Sequence, residues 1–94
     1  MQLRLFSADD VRRALPMAEA IAAVKAGYVQ LSAGRAQIPL RAHLGVGEGD
    51  STLVMPFYAP DEGGALGLKV VSILDSNPPR GLPLIHALVL VLDM

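Results

Sequence analysis

Two cations stand inside apolar, strand-like runs of this chain. Lys69 lies within Gly64-Ala65-Leu66-Gly67-Leu68-Lys69-Val70-Val71-Ser72-Ile73-Leu74, and Arg41 within Gln37 to Val46. A cation so placed is costly unless it is paired or reaches water. Alternate residues of a strand share a face. Leu66, Leu68, Val70 and Leu74 then fall on one side, and Gly67, Lys69, Val71 and Ile73 on the other. The small Gly67 leaves room for something to lie against the ammonium. Ile38, Leu40, Ala42, Leu44 and Val46 likewise share a face, with Arg41, His43 and Gly45 opposite. If the uniformly apolar faces of both runs pack on one helical layer, Arg41 and Lys69 share the other face. A forked guanidinium and a point-charge ammonium converging there suit a carboxylate. The competing reading is a solvated sheet face carrying two ordinary exposed cations.

The remaining chemistry-bearing residues are less informative. His43 follows Arg41 on the same face and reads as polar lining or surface. His86, inside the last strand-like run, reads as a hydrogen-bonded core histidine. Two distant histidines without a carboxylate-rich motif argue against a metal site. Gly45-Val46-Gly47-Glu48-Gly49-Asp50 resembles a phosphate loop only superficially. Asp50 stands where the last glycine belongs, and a strand follows it, so it reads as a hairpin turn. No G-x-S-x-G or Walker pattern occurs. Asn77-Pro78-Pro79-Arg80-Gly81-Leu82-Pro83 is a stiff polar loop: either plain turn chemistry or the border of a ligand beside the Lys69 strand.

The elements that must position these residues follow from periodicity. Gln2 to Phe6 alternates and predicts a short strand. Ser7 caps a short helix to about Leu15, with Asp10 completing a capping box and Asp9 and Asp10 suiting its positive end. Pro16 opens a second helix. Met17, Ile21, Val24, Tyr28 and Leu31 recur at spacings of four, three, four and three, and Gly34 follows as a C-cap. That stripe reads as core packing against a sheet. Four period-two runs then follow, separated by turns at Gly47–Asp50, Asp61–Gly64 and Asp75–Gly81. Pro56, within Thr52 to Tyr58, signals an edge or a bulge. Helices followed by strands on short turns predict an α+β fold, two N-terminal helices on a mainly antiparallel sheet.

Composition bounds the alternatives. Ninety-four residues make one small domain, 52% apolar, with a net charge of −1. There is no basic stripe, so no nucleic-acid partner is expected. The absence of cysteine excludes thiol and disulfide chemistry and fits a cytoplasmic setting. The run Leu82 to Leu92 is too short to span a bilayer. The last run, Ala87 to Met94, is apolar on both faces, the pattern of a central strand, and it ends with no closing turn. We therefore expect a truncated domain.

An ordered set of short segments then gives a resemblance. Ser7-Ala8-Asp9-Asp10-Val11, Leu31 to Ala36, Pro39-Leu40-Arg41, Val54-Met55-Pro56, Gly67-Leu68-Lys69-Val70-Val71 and Asn77 to Pro83 together resemble the N-terminal part of the ornithine cyclodeaminase/μ-crystallin family. The resemblance covers essentially the whole chain. It implies an NAD(P)-dependent parent enzyme acting at the α-carbon of amino or imino acids. It implies a substrate-binding and dimerisation domain over residues 1–94, followed in such proteins by a Rossmann domain that this chain lacks. It also implies that Arg41 and Lys69 bind the substrate carboxylate, with Lys69 close to the reacting centre, and that Met55 lines the pocket. NAD or NADP would be held by the parent, and no cofactor is expected on these residues. The expected partners are a small amino- or imino-acid substrate and a second copy joined through the sheet. Two alternatives stay open: a non-enzymatic μ-crystallin-like binding module, and a fragment that self-assembles without a ligand.

Overall fold

The computed structural model describes residues 1–61 and 63–94. Its first regular element is helix α1, Ala8–Ala14. The Ser7 hydroxyl accepts from the Asp10 backbone N–H at 3.1 Å, and the Asp10 carboxylate accepts from the Ser7 N–H at 2.9 Å. The capping box satisfies two backbone donors that a helix start otherwise leaves open. Residues before Ser7 form no strand. Their alternation lacks a partner strand to pair with, and pattern alone does not make a ladder.

Helix α2, Met17–Ser32, begins after Pro16 and closes through Ala33 and Gly34, the latter at φ 74°. Only glycine adopts that backbone without strain. The apolar stripe exists, yet it is not a core face here, and Tyr28 at its centre is 63% exposed. Only the C-terminal half of α2 approaches the sheet. The Gln30 side chain accepts from the Asp61 N–H at 3.3 Å, and Arg35 pairs with Asp61 at 2.9 Å.

Four strands follow: β1 Ala42–Gly45, β2 Ser51–Ala59, β3 Ala65–Ile73 and β4 Ile85–Leu92. They form one antiparallel sheet in sequence order. The fold is thus α+β, as the element order predicts. The double-sided apolarity of the last strand suggests a central position, but β4 lies at a sheet edge with both faces largely exposed. Apolarity records what a strand is built to touch, and nothing within these residues covers it.

Pro56 shapes the start of β1. Tyr58 exchanges both backbone hydrogen bonds with Gln37, so Tyr58 and, two residues earlier, Pro56 turn their polar groups toward the β1 side. Pro56 has no N–H to give there. The ladder is interrupted at that point: Gln37 opposes Tyr58, but Ala42 opposes Val54. Five steps on one strand meet four on the other, so one extra residue is absorbed between Gln37 and Ala42. That is a bulge-like slip, and Leu40 in it is 98% exposed. The unbroken alternation read from Ile38 to Val46 therefore holds only from the slip onward.

No apolar side chain of the described residues is buried. The accessible surface is 7640 Å², against roughly 5,200 Å² for an ordinary folded monomer of this mass. The Cα radius of gyration is 15.7 Å, where a compact chain of this length has about 12 Å. So open an arrangement gains little from hydrophobic burial.

The cap of α1 responds to acid. Asp10 is held below the ordinary carboxylate range, chiefly by the Ser7 backbone N–H, then by the Ser7 side chain and Arg13. A depressed folded-state value stabilises the fold above the unfolded value and is lost as pH falls through the folded one. Ser7→Ala is expected to raise the Asp10 titration midpoint and lower helicity over residues 8–14, read from NMR carbon shifts. An unchanged midpoint would show that the capping box is absent in solution.

Candidate functional site

The β2–β3 ladder sets Met55 directly opposite Lys69, and β4 sets Val89 on the other side of Lys69. Directly opposed residues share a face. Met55, Lys69 and Val89 therefore form one row across the sheet. Ala42 pairs with Val54 as the first residue of β1, and continuing that register by one places Arg41 opposite Met55. Arg41 stands just outside the strand, at the end of the slip caused by Pro56. Lys69 and Arg41 are exposed, and Met55 is half-buried between them. Ion pairs among the described residues engage Arg12, Arg13 and Arg35, and none engages Arg41 or Lys69. His43 follows on the exposed β1 edge.

Gly67 does not leave an open gap beside Lys69. It pairs with Phe57, whose Cζ would lie 2.7 Å from a Cβ at Gly67. The aromatic ring and the backbone carbonyl of Leu90 together fill the space that a side chain at Gly67 would take, and Gly67 is buried while its neighbours are not. A glycine in a strand often marks such a close approach. The type and spacing of Phe57 could have signalled this, since it sits two residues from Met55.

The Asn77–Pro83 loop meets the sheet elsewhere. It leaves β3 after Ile73, four residues along from Lys69, on the order of 13 Å at strand rise. It does not border the Lys69 row directly. Asn77, 5% exposed, is the buried polar residue of this region. Its amide donates to the Pro83 carbonyl at 3.0 Å and stands 3.4 Å from His86 Nε2. Its backbone carbonyl accepts from Arg80 and Leu82. His86 is thus hydrogen-bonded as predicted, but on an exposed edge strand and not in a core. On the adjoining strands Thr52 and Ser72 hydroxyls meet at 2.7 Å. The turn between β1 and β2 is pinned from the same end: Asp50 accepts from the Ser76 N–H at 3.2 Å and from its hydroxyl. That contact holds the Asp50 carboxylate below its ordinary range. Sequence reasoning saw only turn residues here, because the partners lie 26 and 6 to 9 positions away.

Neither a metal nor a dinucleotide is suited to the described residues. No group of three or more His, Asp or Glu gathers with metal-binding proximity among them. A dinucleotide needs a glycine turn from a strand into a helix start that welcomes phosphate. Here α1 is capped by its own Ser7 with Asp9 and Asp10 in the first turn, and α2 follows α1 with Glu19 in its first turn. No described helix is long and apolar enough to cross a membrane.

The site is a sheet face with two cations that have no ion-pair partner among the described residues, beside a methionine and a phenylalanine, in an α+β chain whose described apolar residues form no buried core. The model of the ornithine cyclodeaminase/mu-crystallin family matches residues 2–94, and the chain belongs to that family. It is similar to the alanine dehydrogenase of Archaeoglobus fulgidus, 31% identical over 91 residues. That match covers 97% of this chain and 27% of the relative, so the chain spans about a quarter of that protein's length. No solved structure matches the chain.

Asn77 gives a direct test of the loop geometry. Asn77→Ala removes a buried donor and leaves the Pro83 carbonyl without its partner, a loss of about 1–3 kcal/mol. Chemical denaturation of the purified protein measures it, and a change under 0.5 kcal/mol, on the scale of an ordinary surface substitution, would contradict the assignment.

Proposed function

We propose that this chain is the substrate-binding part of an NAD(P)-dependent enzyme acting on amino or imino acids, as an oxidoreductase or a cyclodeaminase. One observation carries the reading: Lys69 and Met55 are cross-strand partners, and Arg41 flanks the same row without an ion-pair partner among the described residues. A carboxylate on that row meets an ammonium and a guanidinium, while the half-buried Met55 offers an apolar surface between them. Fixing the carboxylate at two points orients the α-carbon, and positioning of this kind contributes much of an enzyme's advantage. Lys69 then lies close to the reacting centre and stabilises negative charge there. The dinucleotide supplies hydride chemistry in such enzymes. The residues described here do not fit it, so their own part is to bind and orient. Family membership and the likeness to an alanine dehydrogenase support the reading.

The sheet supports a second proposal, that the chain works as a dimer or larger. Roughly 2,400 Å² of surface beyond that of an ordinary monomer is open, most visibly on β4 and the α2 stripe. A standard interface covers about 800 Å² per partner.

Calorimetry with L-alanine, L-ornithine and pyruvate tests the site. Each is expected to bind, and ethylamine, lacking the carboxylate, is not. Lys69→Ala and Arg41→Ala should each weaken binding roughly 10- to 150-fold, the range of one hydrogen bond to a charged group. Unchanged binding in both variants overturns the proposal. Light scattering addresses assembly: a dimer or larger species is expected, and a stable monomer contradicts it.

A further inference from the structure

Three same-face rows cross the sheet around Lys69. The central one holds Met55 and Lys69; one neighbour holds Leu53 and Val71, and the other Phe57 and Gly67. The two neighbouring rows differ in kind. Leu53 and Val71 each fill their own position with a branched side chain. In the other row a single ring covers both positions, because Gly67 has no side chain and the ring lies in the space one would occupy. Phe57 is diagonal to Lys69, within the roughly 7–8 Å reach of an aromatic side chain across an antiparallel pair. It is half-buried, and it also lines an apolar cavity with Val24, Tyr28 and Leu31 of α2 and with Ile38.

We infer that Phe57 is the specificity-determining residue of the carboxylate site, the wall that limits the size of the substrate's side chain. The inference rests on the carboxylate reading of Arg41 and Lys69. A ligand held by its carboxylate on their row projects the rest of its α-carbon substituents along the face. On one side it meets two packed aliphatic side chains; on the other it meets one ring lying on bare backbone. Removing that ring opens a trough down to Gly67, whereas trimming Leu53 or Val71 removes only part of a filled row. The substrate class implied is an α-amino or α-imino carboxylate with a small or unbranched side chain. A side chain at position 67 would meet the backbone carbonyl of Leu90 on the next strand as well as the ring, whose Cζ would stand 2.7 Å from its Cβ.

Calorimetry with L-alanine and L-phenylalanine on the full-length protein, with Phe57→Ala, Phe57→Leu and Phe57→Tyr, tests this. Apolar pockets discriminate single methylene groups by roughly 10- to 200-fold. Phe57→Ala is therefore expected to shift the phenylalanine-to-alanine affinity ratio at least tenfold toward phenylalanine. Phe57→Leu should shift it less, and Phe57→Tyr, which keeps the ring, should leave it within twofold. If Phe57→Ala does not fold, the Leu and Tyr pair carries the comparison. A ratio unchanged in every folded variant, with Lys69→Ala still weakening binding by roughly tenfold or more, overturns the role of Phe57 and leaves the carboxylate site standing. Wild-type protein that binds neither amino acid overturns the carboxylate reading, and this inference with it.

Discussion

A missing backbone proton at Pro56 governs where the first cation of the site sits. Tyr58 and Val54 both pair toward the β1 side, and Pro56 between them has nothing to donate. The partner chain leaves the ladder opposite it and takes up one extra residue before rejoining at Ala42. Arg41 is the last residue of that detour. On its other edge β2 is unbroken, pairing with β3 over nine residues, and this ladder sets Met55 against Lys69 and Phe57 against Gly67. The site thus has a rigid half on two paired strands and a looser half at a bulge. Bulges often stand beside functional sites because they re-aim a side chain.

The same sheet has no interior of its own. Its residues bury one asparagine and no apolar side chain among those described. Energetically the isolated arrangement leans on backbone ladders, capping at Ser7 and the polar ties of Asp50, Asp61 and Asn77. Hydrophobic burial, which dominates the stability of ordinary domains, contributes little among the described residues.

Much of this was legible in the sequence because it depends on local rules. The capping box at Ser7 and Asp10, the glycine stop at Gly34 and the turn at Gly47–Asp50 follow from neighbours a few residues apart. Alternation placed Lys69 opposite the Leu66–Leu68–Val70 face, and Pro56 marked a break. What was not legible depends on distant partners. The slip that frees Arg41 needs the Gln37–Tyr58 bridge. The ring over Gly67 needs the β2–β3 register, so a gap read from Gly67 alone proved to be filled. The helical stripe and the strand β4 look like core elements in sequence. They are exposed because periodicity reports a demand for cover and not its source.

The carboxylate row is tested most directly by the methionine methyl groups. The chain has four methionines, and Met55 alone lies on the row with Lys69. In protein labelled with ¹³C at those methyls, titration with L-alanine should shift the Met55 resonance in a saturable way and leave Met17 unmoved. Lys69→Ala should move that titration to roughly tenfold or more higher L-alanine. A Met55 signal that stays fixed through saturating L-alanine, or moves equally in Lys69→Ala, would contradict the account.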